Sequence, residues 1–401
     1  MSKVLYYIIV LFGVSFSIQT AEQTSPEEPP AKRARVEDPR GPELVAAVRE
    51  NDFETMQKLL EQGVSILTRS AKGSSLLNIA IGNGNKEIFY YLMENGLECD
   101  VNFQNNEGTT PFHLAAQFGQ LEEVRFLLKK GALVETRHNS GATALLLAVL
   151  YSHLPVVKLL IEEHQACVNT TNNNLNTPLI AASNNSDYAM VEFLLGHKAQ
   201  VDLRNDLGAT ALFYAAQAGD FRIVQRFLER GADPCIKTNN GLTALMAACQ
   251  EGSDQITQRL LDQNPGMVNV QDNDHGRTAL FFAAYHGHDS IVKFLLKRGA
   301  NIDVGLKGND GATPLYVAAE NGHLSVIIEI EYFLNHNNRS IINLFNFENA
   351  LINAFHRGHN QIVAFLASKA ARAGCFIPPQ WQDIINQQRK IGKVSCRAQP
   401  I

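Results

Sequence analysis

The stretch Thr110-Pro111-Phe112-His113-Leu114-Ala115-Ala116 decides how this chain folds, because its opening recurs along the chain. It returns as Thr143-Ala144-Leu145, Thr177-Pro178-Leu179, Thr210-Ala211-Leu212, Thr243-Ala244-Leu245, Thr278-Ala279-Leu280 and Thr313-Pro314-Leu315. Successive threonines are 33, 34, 33, 33, 35 and 35 residues apart. A near-constant period of this size means a row of small like elements, each sheltering its neighbours, and not one globule around a single centre.

The residues around Thr110 say what each element is. Gly108 precedes a threonine whose hydroxyl can cap a helix, and Pro111 fits the first turn. Phe112, Leu114, Ala115 and Ala116 give a short apolar helix, with alanines small enough for a close neighbour. Gly119 stops it. Leu121, Val124, Leu127 and Leu128 recur at helical spacing and predict a second, antiparallel helix ended by Gly131-Ala132. The polar run Arg137-His138-Asn139-Ser140 predicts a projecting turn. The same plan fits the chain from Gly208, Gly276 and Gly311. Divergent copies begin near Leu44, Gly73 and Asn349, which makes about ten. Two copies depart from it: Ser152 and Ser186 stand where the helix-stopping glycine belongs, and Pro155 follows the first. Two others have longer exits, through Gln263-Asn264-Pro265 and Asn335-His336-Asn337-Asn338.

The phrase and its period resemble those of ankyrin-repeat proteins, over residues 42–367. The resemblance implies an all-α solenoid of about ten helix-turn-helix repeats with projecting β-turn loops. It also implies a non-enzymatic scaffold that binds partner proteins through its concave face and turn tips. In this family the positions after the Ala-Ala pair point into the concavity. Here they are Gln117-Phe118, Leu150-Tyr151, Asn184-Asn185, Gln217-Ala218, Gln250-Glu251, Tyr285-His286, Glu320-Asn321 and His356-Arg357. The expected partner-binding set is Phe118, Tyr151, Asn185, Gln217, Glu251, Tyr285, His286 and Asn321. A repeat scaffold does not need aromatic residues there, so Phe118, Tyr151 and Tyr285 are candidate anchors; partial burial against neighbouring helices is the alternative. The turn tips Asp206, Asn239, Asn240, Asp272, Asp274 and Asp310 are polar and mildly acidic and favour a partner with basic or amide groups; plain solvated turns are the alternative.

The other features bound the function. A net charge of −5 over 401 residues gives no global field for nucleic acid. No phosphate loop, nucleophile elbow or HExxH run is present. His113, His288, His323 and His359 lie in separate repeats, unlike the compact sets that zinc needs, and are expected to serve backbone groups of the next turn. No metal or cofactor is expected. The six cysteines are widely spaced, and they are expected to be free thiols packed mostly as small apolar groups. An enzyme hidden in the tail from Ala370, within the C-terminal stretch 368–401, is the reading from another class, and no motif there supports it. The tail, with Pro378-Pro379-Gln380-Trp381, either packs on the last repeat or frays.

The N-terminus carries two signals in conflict. The apolar run after Lys3, from Val4 to Phe16, is shorter than the about 20 residues a bilayer span takes and matches a signal-peptide core. Residues 21–41 read as a Pro/Glu-rich disordered linker. Within it Lys32, Arg33 and Arg35 form a basic tract between prolines, similar to a short nuclear-import signal; a chance basic tract is the alternative. A secreted or leader-anchored protein is one reading. An effector exported by a bacterium or parasite into the cytoplasm or nucleus of a host cell reconciles both. A monomer with membrane contact only through the leader is expected. Asn169, Asn184 and Asn338 open glycosylation sequons that matter only in a eukaryotic secretory route.

Overall fold

The threonine phrase writes the same local structure each time. In a computed structural model of the chain, Thr110, Thr143, Thr177, Thr210, Thr243, Thr278 and Thr313 each stand just before a helix. Each hydroxyl accepts a hydrogen bond from the backbone N–H three residues on, at 3.2–3.4 Å. These caps are buried, so each also removes an otherwise unpaired donor from the interior. Asp52, Asp187 and Asp220 cap second helices in the same way.

The structure describes residues 38–94, 100–302, 312–337, 340–341 and 347–390. The apolar leader, the basic tract with Lys32, Arg33 and Arg35, Asp310, Asn338, Cys99 and Cys396 lie outside them. Two compact units divide between Gln200 and Val201. The first holds α1 (Gly41–Glu50), α2 (Phe53–Glu61), α3 (Leu76–Gly82), α4 (Lys86–Glu94) and α5 (Pro111–Gln117). It continues with α6 (Leu121–Lys129), α7 (Ala144–Leu150), α8 (Leu154–Lys158), α9 (Pro178–Asn184) and α10 (Tyr188–Gly196). The second holds α11 (Ala211–Ala218), α12 (Phe221–Glu229), α13 (Ala244–Glu251), α14 (Asp254–Gln263), α15 (Ala279–His286) and α16 (Asp289–Lys297). After these come α17 (Pro314–Glu320), α18 (Leu324–His336), α19 (Phe347–His356), α20 (Asn360–Arg372) and α21 (Pro379–Lys390). The expected pairs are therefore present, and among the described residues the extended pairing is a single bridge, Arg69 with Ser75.

Within each unit the pairs stack, first helix on first helix. α3, α5, α7 and α9 follow one another in the first unit, and α11, α13, α15, α17 and α19 in the second. The alanine pairs make this possible: Ala115, Ala116, Ala215, Ala216, Ala283 and Ala284 are fully buried between neighbours. The turns are joined as well. In the first unit Asn139 N–H donates to Glu107 O (3.0 Å), and its Nδ2 to Asn106 O (3.0 Å). Asn173 repeats both bonds, to Ser140 O and Asn139 O, at 2.8 Å each. In the second unit Asn239 and Asn273 do the same, through Nδ2 bonds to Asp206 O (2.7 Å) and Asn239 O (3.0 Å). Glycine is required beside this ladder: Gly141 has φ +79°, and a Cβ there would lie 2.2 Å from the Asn173 side chain.

Several expectations change. The 34-residue spacing from Thr143 to Thr177 is one longer than its neighbours, and α8 runs on into a π-helical turn, Leu159–Glu163. One inserted residue is what such a turn absorbs. The 35-residue spacing after Thr243 is taken up in a 3-10 turn, Pro265–Asn269. Ser152 and Ser186 do replace glycine, at the strained φ values of 61° and 53°. The tail does not fray throughout: α21 packs on α20, with Ile385 buried and Trp381 against Phe355 at 6.4 Å. The last repeat helix runs to Arg372, past residue 367. Of the four described cysteines, all free, only Cys249 is packed; Cys167, Cys235 and Cys375 are exposed, against expectation. Burial pushes the Cys249 thiol up to about 12. No helix among the described residues is long and apolar enough to cross a membrane.

Candidate first-helix binding surface

The candidate residues stand where each first helix ends and the chain turns into the second. A left-handed residue follows there, such as Gly119, Gly252 or Gly287. A turn this tight leaves the last one or two side chains of the helix outside the alanine layer. In the first unit Phe118 is 47% exposed, a large apolar ring left about half open to solvent. Tyr151 differs. It is half-buried, its hydroxyl accepts a hydrogen bond from Gln117 Nε2 at 3.3 Å, and burial pushes its ionisation upward. Leu150, expected to be open, is buried at 5% exposure. Asn185 is half-buried; its Nδ2 donates to Leu150 O at 2.8 Å, while its Oδ1 is buried and takes no hydrogen bond. Apart from Phe118, then, the first unit's candidates are partly built into its own packing.

The second unit is more open and carries charge. Tyr285 is 43% exposed, and Glu251, His286 and Asn321 are exposed too. Gln217 is half-buried. The Tyr285 ring lies along Phe281 (6.2 Å, 20° between planes) and edge-on to His286 (5.0 Å). Burial, then the neighbouring His288, holds the His286 imidazole below the usual histidine range, with Glu251 pulling the other way. Glu320 is held by Arg357 at 2.8 Å.

The histidines of the repeat phrase stiffen this surface from below. His288, His323 and His359 each donate from Nε2 to a carbonyl of the preceding pair: Gln250 O (3.1 Å), Tyr285 O (3.0 Å) and Glu320 O (2.9 Å). They therefore reach backwards, not to the next turn as expected. His153 does the same to Gln117 O in the first unit (2.9 Å), a role its sequence position after Ser152 concealed. Only His113 bonds onward, to Thr136 O. The receiving carbonyls belong to helix ends, which have no partner within their own helix. These bonds fix the backbone under Gln117, Glu320 and Tyr285. Among the described residues no group of three His, Cys, Asp or Glu is placed to hold a metal ion.

The turn tips need one correction. Asp272 is not solvated: it is 1% exposed, accepts from Arg277 Nε at 2.6 Å, and has its carboxyl held below the usual range. Burial works against that lowering, and the hydrogen bonds from Arg277 and His275 outweigh it. Asn239 is likewise a rung of the turn ladder.

Known proteins place the same pattern. The family of ankyrin repeats (3 copies) matches residues 44–138, 133–205, 168–238, 212–305 and 301–376. Diacylglycerol kinase zeta from Rattus norvegicus is 31% identical over 94 residues, 23% of this chain and 10% of that protein. The human transient receptor potential cation channel subfamily A member 1 is 31% identical over 98 residues, 23% of this chain and 9% of the channel. A putative ankyrin repeat protein of fowlpox virus is 47% identical over 58 residues, 14% of this chain and 13% of its own. The chain thus spans under a fifth of the length of each of these relatives, and the kinase match runs through its ankyrin repeats alone. With matches running continuously from residue 44 to 376, the chain belongs to the ankyrin-repeat family.

Proposed function

We propose that this chain is a non-catalytic scaffold that holds partner proteins on its first-helix surface, which in this family is the concave one, with Phe118 and Tyr285 as anchors. One observation carries the reading: both rings are more than two-fifths exposed at first-helix ends, where among the described residues Ile352 is the one other large apolar first-helix side chain left as open. Large aromatic side chains left in solvent at such places are the ones that dominate binding energy when a partner covers them. Tyr151 contributes less, because Gln117 already uses its hydroxyl. The turn tips act beside this surface, chiefly through Asp206, Asn240 and Asp274.

The test is capture. The full chain and its Phe118→Ala/Tyr285→Ala variant are immobilised, exposed to extract of the source cells, and the retained proteins are compared by mass spectrometry. Each lost anchor is expected to cost on the order of 2 kcal/mol, roughly 30-fold in affinity. The variant should therefore lose partners that the wild type retains, with unchanged circular dichroism. Equal capture by both would remove this surface from the account.

A further inference from the structure

We infer that the joint between the second and third helix pairs is a built-in weak seam, at which α1–α4 part from α5 and α6, and that one ion pair, Lys86 with Glu123, latches it shut. The inference begins from a residue out of place. A left-handed residue ends each first helix, and the place four residues after it falls in the second helix. There α4, α8 and α10 carry Ile88, Val156 and Met190, and every second helix of the second unit carries isoleucine or valine. Each of these is at most 1% exposed. In α6 the place belongs to Glu123, buried nearly as deeply at 2% exposure. A carboxylate thus fills a core position that the neighbouring pairs give to an apolar side chain.

The carboxylate is held from one side only. Glu123 Oε1 lies 3.3 Å from Lys86 Nζ on α4, and neither of its oxygens takes a hydrogen bond. A buried carboxylate is tolerated while its partner stays in place and is costly once the partner leaves. The Lys86 side chain is 65% exposed, so salt and solvent compete for it. Two more observations fall on the same seam. Gln120, where the next pair has His153, donates from Nε2 to Ile81 O at 2.9 Å, but its Oε1 is buried without a hydrogen bond. The turn bond at this joint, Asn106 N–H to Lys72 O, is 3.3 Å long. Its counterparts from Asn139, Asn173, Asn239 and Asn273 are 2.8–3.0 Å. Against these stands Phe126, which closes the seam edge-on to Phe89 (5.9 Å) and Tyr90 (5.4 Å). Local opening runs where buried contacts and good hydrogen bonds are fewest. When this seam opens, the pair that carries Phe118 keeps its packing on α7.

The test is hydrogen–deuterium exchange of the full chain without denaturant, in low salt and in about 1 M NaCl, where charges are screened within about 3 Å. Wild type is compared with Glu123→Ile, which restores the usual apolar residue, and with Lys86→Met, which removes the latch. In wild type the amides of α3 and α4 should exchange as one group, and faster in high salt. Glu123→Ile should slow them roughly tenfold and abolish the salt effect, because no ion pair is left to screen. Lys86→Met should quicken them roughly tenfold. The amides of α9 and α10, on the far side of the third pair, should not change in either variant. Circular dichroism checks that the variants fold, and if Lys86→Met does not, Glu123→Ile and its salt dependence decide. Exchange in Glu123→Ile as fast as in wild type overturns the inference. So does a salt effect equal in the two proteins, or a change that reaches α9 and α10 equally. A folded Lys86→Met that exchanges no faster than wild type overturns the latch.

Discussion

Taking the pH from 7 to 4 is expected to remove about 3 kcal/mol of folding free energy from the first unit through His113 alone. The reason lies in what surrounds the ring. His113 is 0% exposed, its Nε2–H donates to Thr136 O at 2.9 Å, and its Nδ1 accepts from Thr110 N–H at 3.1 Å. Thr110 Oγ1 in turn accepts from His113 N–H, closing a reciprocal cap. One neutral tautomer serves both bonds. A proton on Nδ1 would face the Thr110 N–H, donor against donor, inside a buried site. Burial thus lowers the His113 pKa from 6.5 to about 4, the Thr136 bond opposes this, and His138 beside it adds to it. A folded-state value below the unfolded one means the unfolded chain takes the proton more readily. The contribution is then complete above pH 6.5 and is lost as the pH falls toward 4. The measurement is the His113 ring-proton shift by NMR between pH 8 and 4. It should hold steady until well below pH 6; a midpoint near 6.5 would contradict the buried neutral tautomer.

Replacing Phe227 by alanine is expected to cost about 3–5 kcal/mol. Phe227 is 0% exposed on α12, at helical spacing from the equally buried Ile223 and Val224. A repeat pair touches only its neighbours in the stack, so a cavity there has no remote core to draw on. The loss should surface first as exchange of amide protons in α11 and α12, before the rest of the second unit opens. Hydrogen exchange with rising urea checks this. A cost under about 1 kcal/mol, or uniform opening across the unit, would show that Phe227 is not a packing centre.

The helix pairs were legible because the same few residue types recur at the same spacing, and each has a local job: Thr110 caps, Pro111 starts, Gly119 stops. The extra residue between Thr143 and Thr177 was countable, but that a π turn after α8 absorbs it was not legible, since extra length after Thr243 goes into a 3-10 turn instead. What could not be read depends on contacts across repeats. Asp272 looks like any solvated turn acid until the turn folds Arg277 back onto it. Phe118 and Tyr151 occupy like places in the phrase, yet Gln117 of the preceding pair engages one and not the other. The same holds for histidine: nothing in Gly287-His288 says whether the ring reaches forward or back. Cys235, one of six cysteines expected to be mostly packed, is exposed and accepts from Asn264 Nδ2 at 3.0 Å, where the long exit after α14 brings that amide to it.

The central claim is that the first-helix ends, and not the second helices or the tail, hold the partner. Hydrogen–deuterium exchange of the full chain, with and without a captured partner, tests it most directly. Protection confined to segments around Gln117-Phe118, Asn184-Asn185, Glu251, Tyr285-His286 and Asn321, with α6, α12, α16 and α20 unchanged, is the predicted result. Protection of those second helices or of α21, with the first-helix ends unchanged, would contradict it.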